Sequence, residues 1–219
     1  MLDFIANFIS TIVEALTLRM PAIVISLTVH EFSHAASAYA LGDTTARNVG
    51  RMTLNPVRHL DPIGFLCLLL FRFGWAKPVP VNPYGFRSVD GKTGMLLTAL
   101  AGPMSNILLC FVCVGMLRFM PAGVLFSLSA WPYGFLTYLM WINASLAFFN
   151  LLPIPPLDGS KILFGMLPGK YYYISRYLDR YGFIILMVLI MTDALGMILG
   201  PLMQGLINLF SRFYVFILY

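Results

Sequence analysis

Long apolar runs separated by short polar stretches dominate the chain. Pro21–Leu41 and Gly94–Phe119 are each long enough to cross a bilayer as a helix, which needs about 20 mostly apolar residues. Trp131–Leu152 and Tyr181–Leu199 complete the clear spans. Asp3–Leu18 carries Glu14 and is marginal as a span, so a short tilted or interfacial helix is the alternative there. Pro201–Tyr219 is a last, shorter apolar segment. Pro21 suits a first helical turn, and Gly42-Asp43 reads as the stop of the helix that it opens. Pro62–Phe71 is too short to span and reads as re-entrant or half-buried. The stretch WAKPVPVNPYGFRSVDGKTG is punctuated by Pro78, Pro80 and Pro83, which favour an extended edge chain over a helix. The pattern predicts an all-α polytopic membrane protein of 5–6 transmembrane helices. A small membrane-associated β element is expected between the first two core helices. No repeat and no linker divides residues 1–219, which read as a single transmembrane domain.

Composition agrees. Hydrophobic residues make up 59% of the chain and charged residues 11%, and mean hydropathy is +0.84. A soluble globule could not cover itself with so few charges, and disorder requires the opposite balance. The net charge of +5 reflects basic loops rather than nucleic-acid binding. Eleven of the 14 Lys and Arg residues fall between Gly42 and Thr93 or between Pro153 and Arg180. Two spans separate these loops, so both face one side, and the positive-inside rule makes that side cytoplasmic. The uncharged connection Met120–Ala130 then faces out. Cys110 and Cys113 form a CxxC inside an apolar run and read as packing residues. The N-terminus lacks the basic region and cleavage site of a signal peptide, so it is expected to stay on the mature protein.

The chemistry centres on His30-Glu31-Phe32-Ser33-His34, inside the first clear span. On a helix, positions i and i+4 share a face, and two imidazoles so placed can hold one zinc ion, with Glu31 as general base towards water. Ionisable groups at membrane depth are costly and mark function. At 1.5 Å per residue, His30 lies roughly 16 Å and His34 roughly 10 Å from the cytoplasmic helix end at Leu41. Water must therefore reach them through a polar cavity. A catalytic zinc site needs a third protein ligand from the same membrane side. Asp158 meets that need in Asn150-Leu-Leu-Pro-Ile-Pro-Pro-Leu-Asp158-Gly159, where three prolines break the helix. His59, in a polar loop on that side, is its rival. Asp193 lies towards the outer half of its span, far from the histidines.

Taken together, HEFSH, GWAKPVPVNP, Ala101-Gly102-Pro103-Met104-Ser105-Asn106 and NLLPIPPLDG resemble the site-2 proteases, intramembrane zinc metalloproteases of peptidase family M50. The likeness runs through most of Pro21–Pro168 and fits the compact form without PDZ or CBS domains. It implies one zinc per chain on His30, His34 and Asp158, with Glu31 as the catalytic carboxylate. It further implies that Asn150 helps hold substrate or the oxyanion. Asn106 is a weaker substrate-side candidate, an interhelical hydrogen bond being its alternative role. The chain carrying Val79 and Val81 is similar to a family strand that pairs with an unwound substrate segment. The expected partners are a transmembrane protein substrate and membrane lipid, at the cell membrane, with the active site opening towards the cytoplasm. The competing function is a zinc-binding membrane transporter or a catalytically silent scaffold. A transporter would need polar residues on several helices, and Gly94–Phe119 offers few.

Overall fold

In the computed structural model, residues 2–71, 74–121, 131–169 and 172–218 are described. The uncharged Met120–Ala130 connection lies, from residue 122 onward, outside them. The elements are α1 (Leu2–Glu14), α2 (Met20–Ala40), α3 (Thr45–Asn48), α4 (Pro62–Phe71), α5 (Gly91–Arg118), α6 (Trp131–Leu151), α7 (Asp158–Met166), α8 (Tyr172–Met191) and α9 (Ala194–Leu218). Four stretches among the described residues are long and apolar enough to cross a membrane: Phe4–Ala40, Gly91–Arg118, Trp131–Leu151 and Ala194–Ile217. That is one fewer than the lower end of the expected count.

Two differences account for the shortfall. First, Asp3–Leu18 is not a separate element. A π-helical turn, Ala15–Arg19, joins α1 to α2 without a break. Pro21 therefore lies inside a continuous helix, and the wider turn just before it accommodates the missing N–H. Glu14, just before that turn, and Arg19, its last residue, both reach Tyr138 on α6: the carboxylate accepts from the phenol and the guanidinium lies 5.5 Å from the ring centre. Second, the run Tyr181–Leu199 is not one span. It is broken at Thr192-Asp193, where Asp193 adopts φ 55°. Aspartate tolerates this left-handed geometry better than most residues. The last helix starts afresh at Ala194 and absorbs the weak Pro201–Tyr219 segment.

Helix α5 is the hub and packs against α2, α6, α7 and α9. Its inward face joins Cys110, Cys113 and Val114 to Ala22 of α2, Leu136, Leu139, Met140 and Ala144 of α6, and Ile207 of α9. Its outward face shows Met104, Leu108, Val112 and Met116. The interior of α2 is built of small residues, Ala22, Ser26, Ala35 and Ala38, which let the helices approach closely. Cys110 and Cys113 are buried and unbridged, as packing residues should be.

Helix α2 stops as its sequence predicts. Gly42 takes φ 106°, and Gly42 N–H and Asp43 N–H donate to Tyr39 O and Ala38 O. Beyond it, no strand forms among the described residues. Where a small β element was expected, only an isolated antiparallel bridge links Leu60 to Ala76. Proline at 78, 80 and 83 removes the donors that a ladder would need. The extended chain is held by side chains instead. Buried Asp43 accepts from Asn82 N–H at 2.8 Å and from the N–H and hydroxyl of Thr45 at 2.9 and 2.5 Å. Burial alone would raise the Asp43 carboxyl. The bonds from Thr45 and Asn82 outweigh it and hold the carboxyl below the usual aspartate range. Its stabilisation is thus complete above the unfolded value of about 4 and is lost as pH falls through the lower folded value. Asp43→Ala should cost on the order of 1–3 kcal/mol at neutral pH. The check is a thermal unfolding series from pH 7 to 3, in which the gap between wild type and variant should narrow only at the acid end.

Candidate metal centre and active site

His30 and His34 project from one face of α2, as the i, i+4 spacing requires, and both are buried. Asp158 arrives from another direction. Helix α6 ends at Leu151, the chain turns through Pro153, Pro155 and Pro156, and α7 starts at Asp158. The turn is tied by Ile154 N–H to Leu152 O at 2.8 Å and Leu157 N–H to Ile154 O at 3.0 Å. Gly159 permits it, because a Cβ there would lie 2.3 Å from Leu152 O and 2.4 Å from Leu151 O. Asp158 Oδ2 then sits 3.1 Å from His30 Nε2 and 3.0 Å from His34 Nε2, and the two Nε2 atoms are 3.0 Å apart. Among the described residues, these three form the group able to hold a metal ion.

The hydrogen bonds behind the ring determine what the triangle is. His34 Nδ1–H donates to Thr98 O at 2.7 Å, a carbonyl that can only accept. His30 Nδ1 is 2.6 Å from Asn106 Oδ1. Asn106 uses its Nδ2 towards Asn143 Oδ1 at 2.7 Å and Ser26 O at 3.3 Å. Asn143 Nδ2 in turn donates to Ser26 Oγ and Leu139 O, both at 2.8 Å. The chain of donors leaves Asn106 Oδ1 as an acceptor, so His30 Nδ1 carries the proton. With Nδ1 protonated in both rings, each neutral imidazole presents a bare Nε2 lone pair towards a carboxylate oxygen. Three such lone pairs at 3.0–3.1 Å repel one another unless a proton or a metal ion lies between them, and one metal ion satisfies all three at once. Ligand atoms around a tetrahedral zinc stand roughly 3.3 Å apart. Gly102 of α5 completes the cradle: a Cβ there would lie 2.5 Å from His34 Nε2 and 2.6 Å from His30 Cε1. The donor set, tautomers and space fit zinc.

Glu31 lies beside the cradle and accepts from Val79 N–H at 3.0 Å. A cavity of about 300 Å³ opens here, lined by His30, Glu31, His34 and Asp158 together with Val79, Val81 and Asn150. Asn150 uses its Nδ2 on Leu146 O, one turn back in its own helix, at 3.0 Å. Asn106 does not line the cavity. It is fully buried behind His30, which places it in the interhelical network and not on the substrate side. His59 is also elsewhere, 1% exposed with Nε2 on Thr53 O at 2.7 Å. Asp193 is in the turn between α8 and α9.

Sequence reasoning misses three contributors. Gly102 acts by lacking a side chain, although its Ala-Gly-Pro setting is the legible signal. Thr98 serves through its main-chain carbonyl, which no residue pattern announces. Lys161 places Nζ 3.1 Å from the second oxygen of Asp158. Its i+3 spacing from Asp158 at a helix start could have revealed it.

Comparison with known proteins points one way. Residues 126–191 match the model for peptidase family M50. The chain is 37% identical over 199 residues to the Bacillus subtilis protein named "Putative zinc metalloprotease YwhC", covering 88% of this chain and 90% of that one. It is 30% identical over 176 residues to a Mycolicibacterium smegmatis protein of the same printed description, Rip2, covering 78% and 65% of the two chains. A Methanocaldococcus jannaschii protein so described, MJ0611, is 38% identical over 102 residues, covering 46% and 49%. No solved structure matches.

Proposed function

The chain belongs to peptidase family M50, the site-2 protease family of zinc metalloproteases, and from that premise we propose that it hydrolyses a peptide bond within or near a transmembrane segment of a membrane protein. The observation that carries this reading is the placement of the His30–His34–Asp158 triangle and Glu31. The HExxH pair lies within a membrane-length apolar helix, not in a domain beside it. One zinc per chain would be held by His30 Nε2, His34 Nε2 and Asp158 Oδ2. Zinc bound there supplies a Lewis acid that makes water nucleophilic near neutral pH and draws charge from the attacked carbonyl.

The chain's own groups do the rest. Glu31 takes a proton from the attacking water as oxygen bonds to the carbonyl carbon. It then returns that proton to the amine nitrogen as the C–N bond breaks. Val79 N–H holds one carboxylate oxygen of Glu31, whose side chain lines the cavity, and the other oxygen would serve as the base. Asn150 lines the same cavity, and its amide, turned away from Leu146 O, would meet the developing oxyanion. Asn106 acts as a positioning residue through His30.

A helical substrate hides its scissile bond, so the segment must unwind and be held extended. Val79 C=O and Val81 N–H have no main-chain partner among the described residues, and Pro80 between them donates nothing. They are suited to pair with such a segment without demanding a sequence. The eleven basic residues of the stretches Gly42–Thr93 and Pro153–Arg180 support a cytoplasmic opening at the cell membrane.

The test is zinc content of detergent-purified wild type beside His34→Ala and Asp158→Ala. About one zinc per chain in wild type, sharply reduced in both variants, is expected. A wild type that takes up no zinc after reconstitution would overturn the reading. Zinc kept by Asp158→Ala but lost by His34→Ala would remove Asp158 from the ligand set.

A further inference from the structure

A second cavity, of about 560 Å³, adjoins the active-site cavity and shares Pro78 with it. Arg51, Arg58 and Lys77 line it, and no carboxylate does. None of the three forms an ion pair among the described residues. Arg51 is only 7% exposed. Its Nη2 donates to the carbonyls of Lys77 and Pro78, but its buried Nε–H has no partner among the described residues. An arginine so far removed from water without a counter-anion is costly to keep. Three cations around a cavity with donors to spare are instead the recognition chemistry of a phosphoryl group.

The surroundings indicate where that group comes from. Val49, Val57 and Leu60 share the lining, with Val49 56% and Val57 75% exposed. The neighbouring Leu54, Ile63 and Leu66 also present apolar side chains outward, and Trp75 is half exposed. An apolar rim around a cationic pocket fits a lipid at the membrane surface better than a water-borne anion. We propose that this cavity binds the phosphoryl headgroup of an anionic phospholipid. The site would bear on catalysis through the main chain. Arg51 grips the carbonyls of Lys77 and Pro78, and the next residue, Val79, holds Glu31. Lipid in the cavity steadies the strap that orients the catalytic carboxylate.

The test needs neither zinc nor a cleavable substrate, so its outcome is independent of the peptidase reading. The full chain in detergent is titrated with phosphatidylglycerol, phosphatidylcholine and inorganic phosphate, and bound lipid is counted by native mass spectrometry. Arg58 and Lys77 are exposed, so Arg58→Gln with Lys77→Gln should fold; Arg176→Gln with Arg180→Gln, on the first turns of α8, is the charge-matched control. Wild type should retain phosphatidylglycerol in preference to phosphatidylcholine. The first double variant should bind it roughly thirtyfold more weakly, and the control should match wild type. Hydrogen exchange across residues 74–82 should slow when lipid is bound. Equal weakening in the control would overturn the proposal in favour of diffuse surface charge. Unchanged binding in the first double variant would overturn it outright. Inorganic phosphate binding as tightly as lipid would reject the lipid as ligand, as would displacement of the lipid by an acidic peptide.

Discussion

Glu31→Gln should leave the protein folded and zinc-loaded but unable to cut. Glutamine is nearly the same size, and Val79 N–H can still donate to its amide oxygen, so the strap that crosses the cavity keeps its anchor. What disappears is a group able to take a proton from water and return it to the leaving amine. General acid–base groups contribute about 10²–10⁴ to rate, and here one carboxylate serves both steps, so a loss of at least about 10³ is expected. The measurement pairs zinc content with a comparison of membrane-protein fragments in cells carrying wild type or variant. Uncleaved precursors should accumulate with the variant while zinc remains near the wild-type level. Cleavage at the wild-type rate would remove Glu31 from the mechanism. Loss of zinc together with activity would show instead that the carboxylate is structural to the metal site. The same pair of readings separates peptidase from zinc transporter, since a transporter has no need of a proton shuttle beside its first histidine.

The site was legible in the sequence wherever chemistry and spacing coincide. His30, Glu31 and His34 show themselves because an i, i+4 pair of imidazoles flanking a carboxylate is too costly inside an apolar run to serve as mere packing. Asp158 shows itself because prolines at 153, 155 and 156 break a helix at membrane depth, and broken backbone is tolerated there only around a cavity. The network behind His30 was not legible. Ser26, Asn106 and Asn143 lie on three different helices, and only the packing of α2, α5 and α6 shows that they meet. Asn106 consequently reads as well on the substrate side as in the interior.

The helix count was less legible for two local reasons. A hydropathy window averages over the two polar residues Thr192 and Asp193, so a helix break becomes a span. A proline is the natural mark of a helix start, yet at Pro21 the π turn before it lets α1 and α2 run on as one. The expected β element failed on its own prolines: the chain is extended, but it lacks the donors to build a ladder. What survives of that expectation is the extended strap carrying Val79 and Val81 past Glu31.

Gly102→Ala should abolish zinc binding while leaving the helix at least as stable. At an ordinary helical position, replacing glycine by alanine favours the helix by about 1 kcal/mol. Gly102 is not ordinary, because its missing Cβ faces the His30 and His34 rings. A methyl group there would come within 2.5 Å of His34 Nε2 and 2.6 Å of both His30 Cε1 and His34 Cε1. These atoms have little freedom to yield. His34 is tethered by Thr98 O and His30 by Asn106, and Asn106 is itself fixed by Asn143 and Ser26. Rotating either ring to relieve the contact would break a buried hydrogen bond and turn Nε2 out of the His30–His34–Asp158 triangle. Moving α5 outward would open a helix interface closed by small residues and disturb the same Thr98 carbonyl. The expected zinc content is therefore below about a tenth of wild type, with cleavage lost in proportion. Unfolding measured with and without a chelator tests the cause. Chelator should lower the midpoint of wild type and leave that of Gly102→Ala unchanged, with the variant at or above the chelated wild type. A variant that binds zinc normally would show that the rings can retreat from a methyl group, and that the space above them is not what holds the site open. A variant that loses zinc and also unfolds well below the chelated wild type would point to helix packing, with metal loss as its consequence.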